Sequence, residues 1–100
     1  MKALIPIAGL GTRLLPLTKV IPKALLPVYD RPAIQWIVEE MVSAGIDEII
    51  FVYSPGQEML IDYFGPELSW LGFELERRAK FEELQTIRYP AELAKFHFVL

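Results

Sequence analysis

The 100-residue sequence predicts an α/β fold, a Rossmann-like parallel sheet with flanking helices, on three observations. Residues 3–8 are a short apolar run that breaks into Gly9-Leu10-Gly11-Thr12-Arg13, as a buried strand breaks into a tight turn. Ile34, Ile37, Val38, Met41 and Val42 then recur at the three-and-four spacing of a helix with one buried stripe. Residues 46–53 return to strand composition, so strand, broken loop, helix and strand make a βαβ unit with a parallel crossover.

The first strand is expected over residues 3–7, apolar on both faces as helix-covered parallel strands are. Pro6 removes one ladder hydrogen bond and belongs near the strand's end. Residues 12–29 carry three prolines among apolar residues, too broken for a helix and too apolar for a solvated linker. This segment must pack on the body, with Leu25, Leu26 and Val28 as anchors. Asp30 followed by Pro32 marks a helix start, with Gln35, Glu39 and Ser43 facing away from the core and Gly45 ending the helix. Glu39 and Glu40 point about 100° apart on a helix and read as a solvated face, not an acid and base pair. Trp36, off the stripe, packs against a neighbouring element in preference to stacking on a base.

Ser54-Pro55-Gly56 follows the second strand at the sheet edge where ligands bind in open α/β folds, and serves equally as the cap of the next helix. That helix is expected over residues 57–64, with Met59, Leu60, Tyr63 and Phe64 inward, closed by Gly65-Pro66. Residues 67–87 read as one helix or two with a break near Gly72, striped by Leu68, Leu71 and Leu75. Glu74 with Arg78 and Glu76 with Lys80 have ion-pair spacing there. Trp70 and Phe73 fall off the stripe, and burial within the subunit is the expectation over a partner surface or homo-oligomer contact. Tyr89-Pro90 is expected to stop the helix, and residues 95–100 to form a third strand. His97 on that strand is a lone histidine without nearby partners and reads as structural. No internal repeat or low-complexity tract occurs.

Composition narrows the function classes. The sequence is 53% apolar with no cysteine, which provides a core and excludes disulfides, thiolate zinc sites and cysteine nucleophiles. A net charge of −3 argues against a nucleic-acid-coating surface, so the cations that matter are local, at Arg13, Lys19 and Lys23. Pro6, the glycines and Arg13 come too early for a signal peptide, and no uncharged run approaches the ~18 residues of a membrane helix. The expected location is cytoplasmic, away from any membrane.

The glycine turn is the chemical centre of the sequence. Gly9 and Gly11 allow the backbone to approach a bulky anion with its N–H groups free, and Arg13 and Lys23 follow as fixed cations suited to phosphoryl groups. A P-loop is excluded because no Gly-Lys pair occurs. A dinucleotide fingerprint would need glycine or alanine where Leu14 stands, and Pro16, Pro22 and Pro27 interrupt its helix. Asp30 nonetheless has the spacing of a ribose-binding acid, and a dinucleotide-binding oxidoreductase requires it at a strand end.

Gly9-Leu10-Gly11-Thr12-Arg13, Pro16, Thr18, Pro22-Lys23 and Leu26-Pro27-Val28 together resemble the signature of the sugar-nucleotide nucleotidyltransferases. Thr18-Lys19, Ile21-Pro22-Lys23, Asp30-x-Pro32, Ile34-Gln35 and Val38-Glu39-Glu40 are similar to its bacterial uridylyltransferase branch, and looser likeness runs through residues 73–84. Ala24 departs from that branch, which usually carries an acid directly after Pro-Lys.

The resemblance implies a nucleotide-diphospho-sugar transferase fold of which residues 1–100 form the N-terminal part of a single domain, truncated at its C-terminal end. It implies transfer of a nucleotidyl group from a nucleoside triphosphate, UTP favoured, to a sugar 1-phosphate, glucose 1-phosphate favoured. Thymidylyl or another nucleotidylyl transfer, and a non-catalytic nucleotide-binding relative, remain as alternatives. By the same likeness Ala8, Gly9, Leu10, Gly11 and Thr12 bind the nucleotide, while Arg13 and Lys23 act in catalysis. Magnesium is the implied cofactor, with its ligand beyond Leu100 and none in this stretch.

Overall fold

The computed structural model describes residues 1–7, 13, 15–67 and 69–100. Three parallel strands carry it: β1 (Lys2–Pro6), β4 (Glu48–Val52) and β5 (Lys95–Val99), in the order β1-β4-β5. Leu4 lies opposite Ile50 and Ile50 opposite His97. Pro6 is the last residue of β1, where its missing donor does least harm, and the Ile7 N–H resumes pairing to the Val52 carbonyl at 2.8 Å.

Two short strands, β2 (Pro27–Val28) and β3 (Arg31–Pro32), form an antiparallel hairpin that leads into α1 (Ala33–Ser43). Further along are α2 (Met59–Phe64), α3 (Trp70–Arg77) and α4 (Phe81–Glu92). Alternation along the strands sends Ile49 and Phe51 to one face, where Ile34 and Val38 of α1 and Leu60 and Phe64 of α2 cover them. Phe51 lies with its ring centroid 5.2 Å from that of Phe64 and 5.7 Å from that of Phe96. The opposite face is uncovered among the described residues: Leu4 is 64% exposed, contrary to the expectation of a first strand apolar on two covered faces.

The helices correct several sequence readings. Pro32, not Asp30, precedes the first helical residue, and no side chain caps α1. Ile34, Val38, Met41 and Val42 keep the expected stripe of α1, but Gln35 is only 5% exposed while Ile37 is 45% exposed, so the stripe takes in Gln35 in place of Ile37. Tyr63 explains the tolerance, since its hydroxyl donates to the Gln35 carbonyl oxygen and leaves no unsatisfied acceptor in the core. Met59 is exposed, not inward.

The break expected near Gly72 falls instead at residues 78–80. There the Lys80 N–H donates to Leu75 and the Ala79 N–H to Glu76, a Schellman closure with Ala79 at φ 56°. Alanine in the place usually taken by glycine hides that signal in the sequence. Pro90 does not stop α4, because the helix ends two residues later and only one intrahelical bond is forgone. Gly45, at φ 98°, follows α1 as its glycine terminator.

Candidate nucleotide-phosphate site

The carboxyl ends of β1 and β4 open onto a cleft of about 260 Å³ lined by Ile7, Lys19, Lys23 and residues 54–57. Two 3₁₀ turns present the cations: Leu17–Lys19 follows Pro16, and Lys23–Leu25 follows the buried Pro22. Each proline supplies a fixed φ that starts a tight turn. Ala24 and Leu25 pack against the core, which leaves the neighbouring Lys23 exposed at the cleft. Ala24 thus occupies a scaffold position, and an acid there would be drawn toward the core.

The opposite wall is the loop at residues 54–57. Gly56 takes φ 93°, and its N–H is held by the Glu58 carboxylate at 2.9 Å, while the Ser54 N–H donates to Gln57 Oε1 at 2.9 Å. The loop both lines the cleft and caps the chain entering α2, and its own donors are satisfied internally. No carboxylate among the described residues pairs with Arg13, Lys19, Lys23, Lys80 or Lys95, whereas Lys2, Arg31, Arg77, Arg78 and Arg88 are paired; of the unpaired five, Lys19 and Lys23 line the cleft. Cations left without counter-ions beside a concave sheet edge are placed to receive an anion.

Arg13 is exposed. Ala8, Gly9, Leu10, Gly11 and Thr12 lie outside the described residues, as do Leu14 and Leu68. Asp30 sits in the turn between β2 and β3, ahead of α1, and directly follows none of the three parallel strands. That placement removes the dinucleotide-binding oxidoreductase reading. Among the described residues no three of His, Cys, Asp and Glu converge to hold a metal ion, and no helix is long and apolar enough to cross a membrane.

A second polar cluster went unseen in the sequence. Arg31 donates to Glu39 Oε2 at 2.7 Å and to Asp30 at 3.0 Å, and its guanidinium lies 4.4 Å from the Trp36 ring centroid. Tyr89 of α4 donates to the other Glu39 oxygen at 3.1 Å, so Glu39 bridges two helices instead of facing solvent alone. The hydrogen bond from Arg31 holds the Asp30 carboxyl below its usual range, and those from Asp30 and then Glu39 raise Arg31 further above its own. Tyr63 is raised first by burial and then by Glu39, and Tyr89 by its hydrogen bond to Glu39. Residues 50 apart meet here, and no local pattern announces them.

Three further expectations are corrected. His97 has a partner, Glu48 Oε2 at 2.8 Å across the strand pair. Glu74 does pair with Arg78, at 3.1 Å, but Glu76 pairs with Arg88 in place of Lys80. Trp70 and Phe73 are 76% and 61% exposed, not buried.

The sequence profile of the family described as Nucleotidyl transferase matches residues 2–84. The chain belongs to the nucleotidyl transferase family. Within it, the chain is 46% identical over 98 residues to a protein of Staphylococcus saprophyticus named UTP–glucose-1-phosphate uridylyltransferase 1, covering 98% of this chain and 34% of that one. Its fold matches the solved structure titled UTP-bound UGPase from Acinetobacter baumannii with a TM-score of 0.84 and 41% identity, over 98% of this chain and 34% of that one. A UDP-glucose pyrophosphorylase complexed with UDP-glucose matches at 0.71 and 40%, with the same coverage. The chain therefore spans about a third of the length of the nucleotidyl transferases it matches.

Proposed function

We propose that this chain is the N-terminal, nucleotide-phosphate part of a single-domain nucleotidyltransferase. The reaction joins UTP to glucose 1-phosphate, giving a nucleotide sugar and pyrophosphate. The observation that carries the reading is the pair of unneutralised cations, Lys19 and Lys23, in a cleft at the carboxyl edge of a parallel sheet. The names of the uridylyltransferase relatives and the nucleotide-bound neighbours support the choice of UTP and glucose.

An oxygen of the sugar phosphate attacks the α-phosphorus in line, the bond from that phosphorus to the bridging α–β oxygen breaks, and pyrophosphate leaves with the bond's electron pair. This chemistry needs positioning and charge neutralisation more than a covalent nucleophile. Lys23 neutralises the reacting phosphates and Arg13 the charge growing on pyrophosphate. Backbone N–H groups of Gly9, Gly11 and Thr12 hold the nucleotide, with Ala8 and Leu10 shaping the base pocket. Magnesium would supply further charge neutralisation, but the described carboxylates form no set that fits it. Its ligands, on this reading, are elsewhere in the whole protein, whose setting is the cytoplasm.

Isothermal titration of the whole protein with several nucleoside triphosphates, followed by a pyrophosphate-release assay with sugar 1-phosphates, tests the reading. UTP binding with glucose-1-phosphate-dependent release is expected. Nucleotide binding without release would favour a non-catalytic relative.

A further inference from the structure

The hairpin β2-β3 links the Lys23 turn to α1 and has only two residues in each strand. Its paired residues are Pro27 with Pro32 and Val28 with Arg31. Pro27 and Pro32 face each other at a non-hydrogen-bonded pair, where neither has to donate, and the ladder bonds fall on the pairs either side. Two donors from α1 tie this hairpin to the helix. The Ala33 N–H reaches the Leu26 carbonyl at 2.9 Å, and the Trp36 indole Nε1–H donates to the Val28 carbonyl at 2.8 Å.

From that anchor the chain is bonded back to the cation-bearing turn, Leu26 N–H to the Lys23 carbonyl at 3.2 Å and Leu25 N–H to Pro22 at 2.9 Å. The indole is fixed in turn. Arg31 covers its ring at 4.4 Å and is itself held by Asp30 and Glu39.

We infer that Trp36 is a positioning residue for Lys23: its indole N–H ties the hairpin to α1 through the Val28 carbonyl and so fixes where the lysine turn meets the phosphate cleft. The inference rests on the phosphate-neutralising role proposed for Lys23. Trp36 reaches no substrate itself. It acts through the backbone of residues 23–28, so it governs the geometry of charge stabilisation and not the affinity for the whole nucleotide.

Trp36→Phe in the whole protein keeps a ring under Arg31 and removes only the donor. Small displacement of a charge-stabilising group lowers turnover more than binding, so kcat is expected to fall about tenfold with KM for UTP little changed. Combined with Lys23→Ala, the same change is expected to be silent on the residual rate. Benzothienylalanine at position 36, with sulfur in place of the indole N–H, tests the same donor with the shape preserved should the phenylalanine variant fold badly. Normal kcat in either replacement, or an equal loss with and without Lys23, would overturn the inference. Near-normal turnover of Lys23→Ala alone would instead overturn the proposed role of Lys23.

Discussion

Two cationic regions, Arg31 within the short hairpin and Lys19 with Lys23 in the turns before it, are treated oppositely. Arg31 has two carboxylates and an aromatic face, all within the chain. Lys19 and Lys23 have no carboxylate among the described residues, although the chain carries more acids than bases. Neutralisation inside the fold marks a cation as a fastener, since a charge already paired has little left to offer a ligand. A cation left unpaired at a concave sheet edge keeps its charge available to an incoming anion. Lack of a partner marks a candidate only together with the cleft, since Lys80 and Lys95 are also unpaired among the described residues and do not line it.

The largest effects belong to the unpaired cations. Lys23→Ala or Arg13→Ala in the whole protein is expected to lower turnover about 10²- to 10³-fold, the scale for losing one transition-state charge stabiliser. The fold should survive, since both side chains are exposed; circular dichroism alongside a pyrophosphate-release assay checks both halves. Glu39→Gln inverts the pattern. It removes the charge and leaves one acceptor oxygen where Arg31 and Tyr89 used two, so the melting temperature should fall by a few degrees while UTP affinity changes little, as melting curves and titration would show.

Salt should weaken UTP binding severalfold as the screening length falls from about 10 Å at 0.1 M toward 3 Å at 1 M. The same salt series should leave the Trp36 contact to the Val28 carbonyl intact, read by hydrogen exchange of the Trp36 indole N–H.

The smallest effect is in the pH dependence of the fastener. Tyr63 and Tyr89 have raised pKa values, so the stability they contribute is intact below the usual tyrosine pKa of about 10 and is lost as pH rises through the folded values. Asp30 is lowered, so its contribution is present above its ordinary value of about 3.9 and lost as pH falls through the folded one. Thermal melts across pH, compared with Tyr89→Phe and Asp30→Asn, should show the alkaline and acid losses shrinking respectively.

Local pattern made much of this fold legible. Apolar runs gave the three parallel strands to within two residues, and Gly45 and the second loop glycine, Gly56, take the left-handed backbone that only glycine adopts readily. The misses share one physical cause, the dominance of distant partners. Gln35 is buried because Tyr63 satisfies it, and His97 is paired because β5 aligns beside β4. Glu39 is engaged because α4 brings Tyr89 across. The helix break at Ala79 was hidden because the residue in the left-handed position carries a Cβ. Of the site, Lys23 was legible from its motif, and the cleft that receives it required the sheet to bring residues 54–57 alongside.

UTP titration of the whole protein, comparing Lys23→Ala with Arg31→Gln, tests the distinction between the two regions most directly. The account predicts that affinity falls at least about tenfold on loss of the unpaired lysine, the equivalent of one 1.4 kcal/mol contact, and changes far less on loss of the paired arginine. Equal losses, or a greater loss at Arg31, would contradict it.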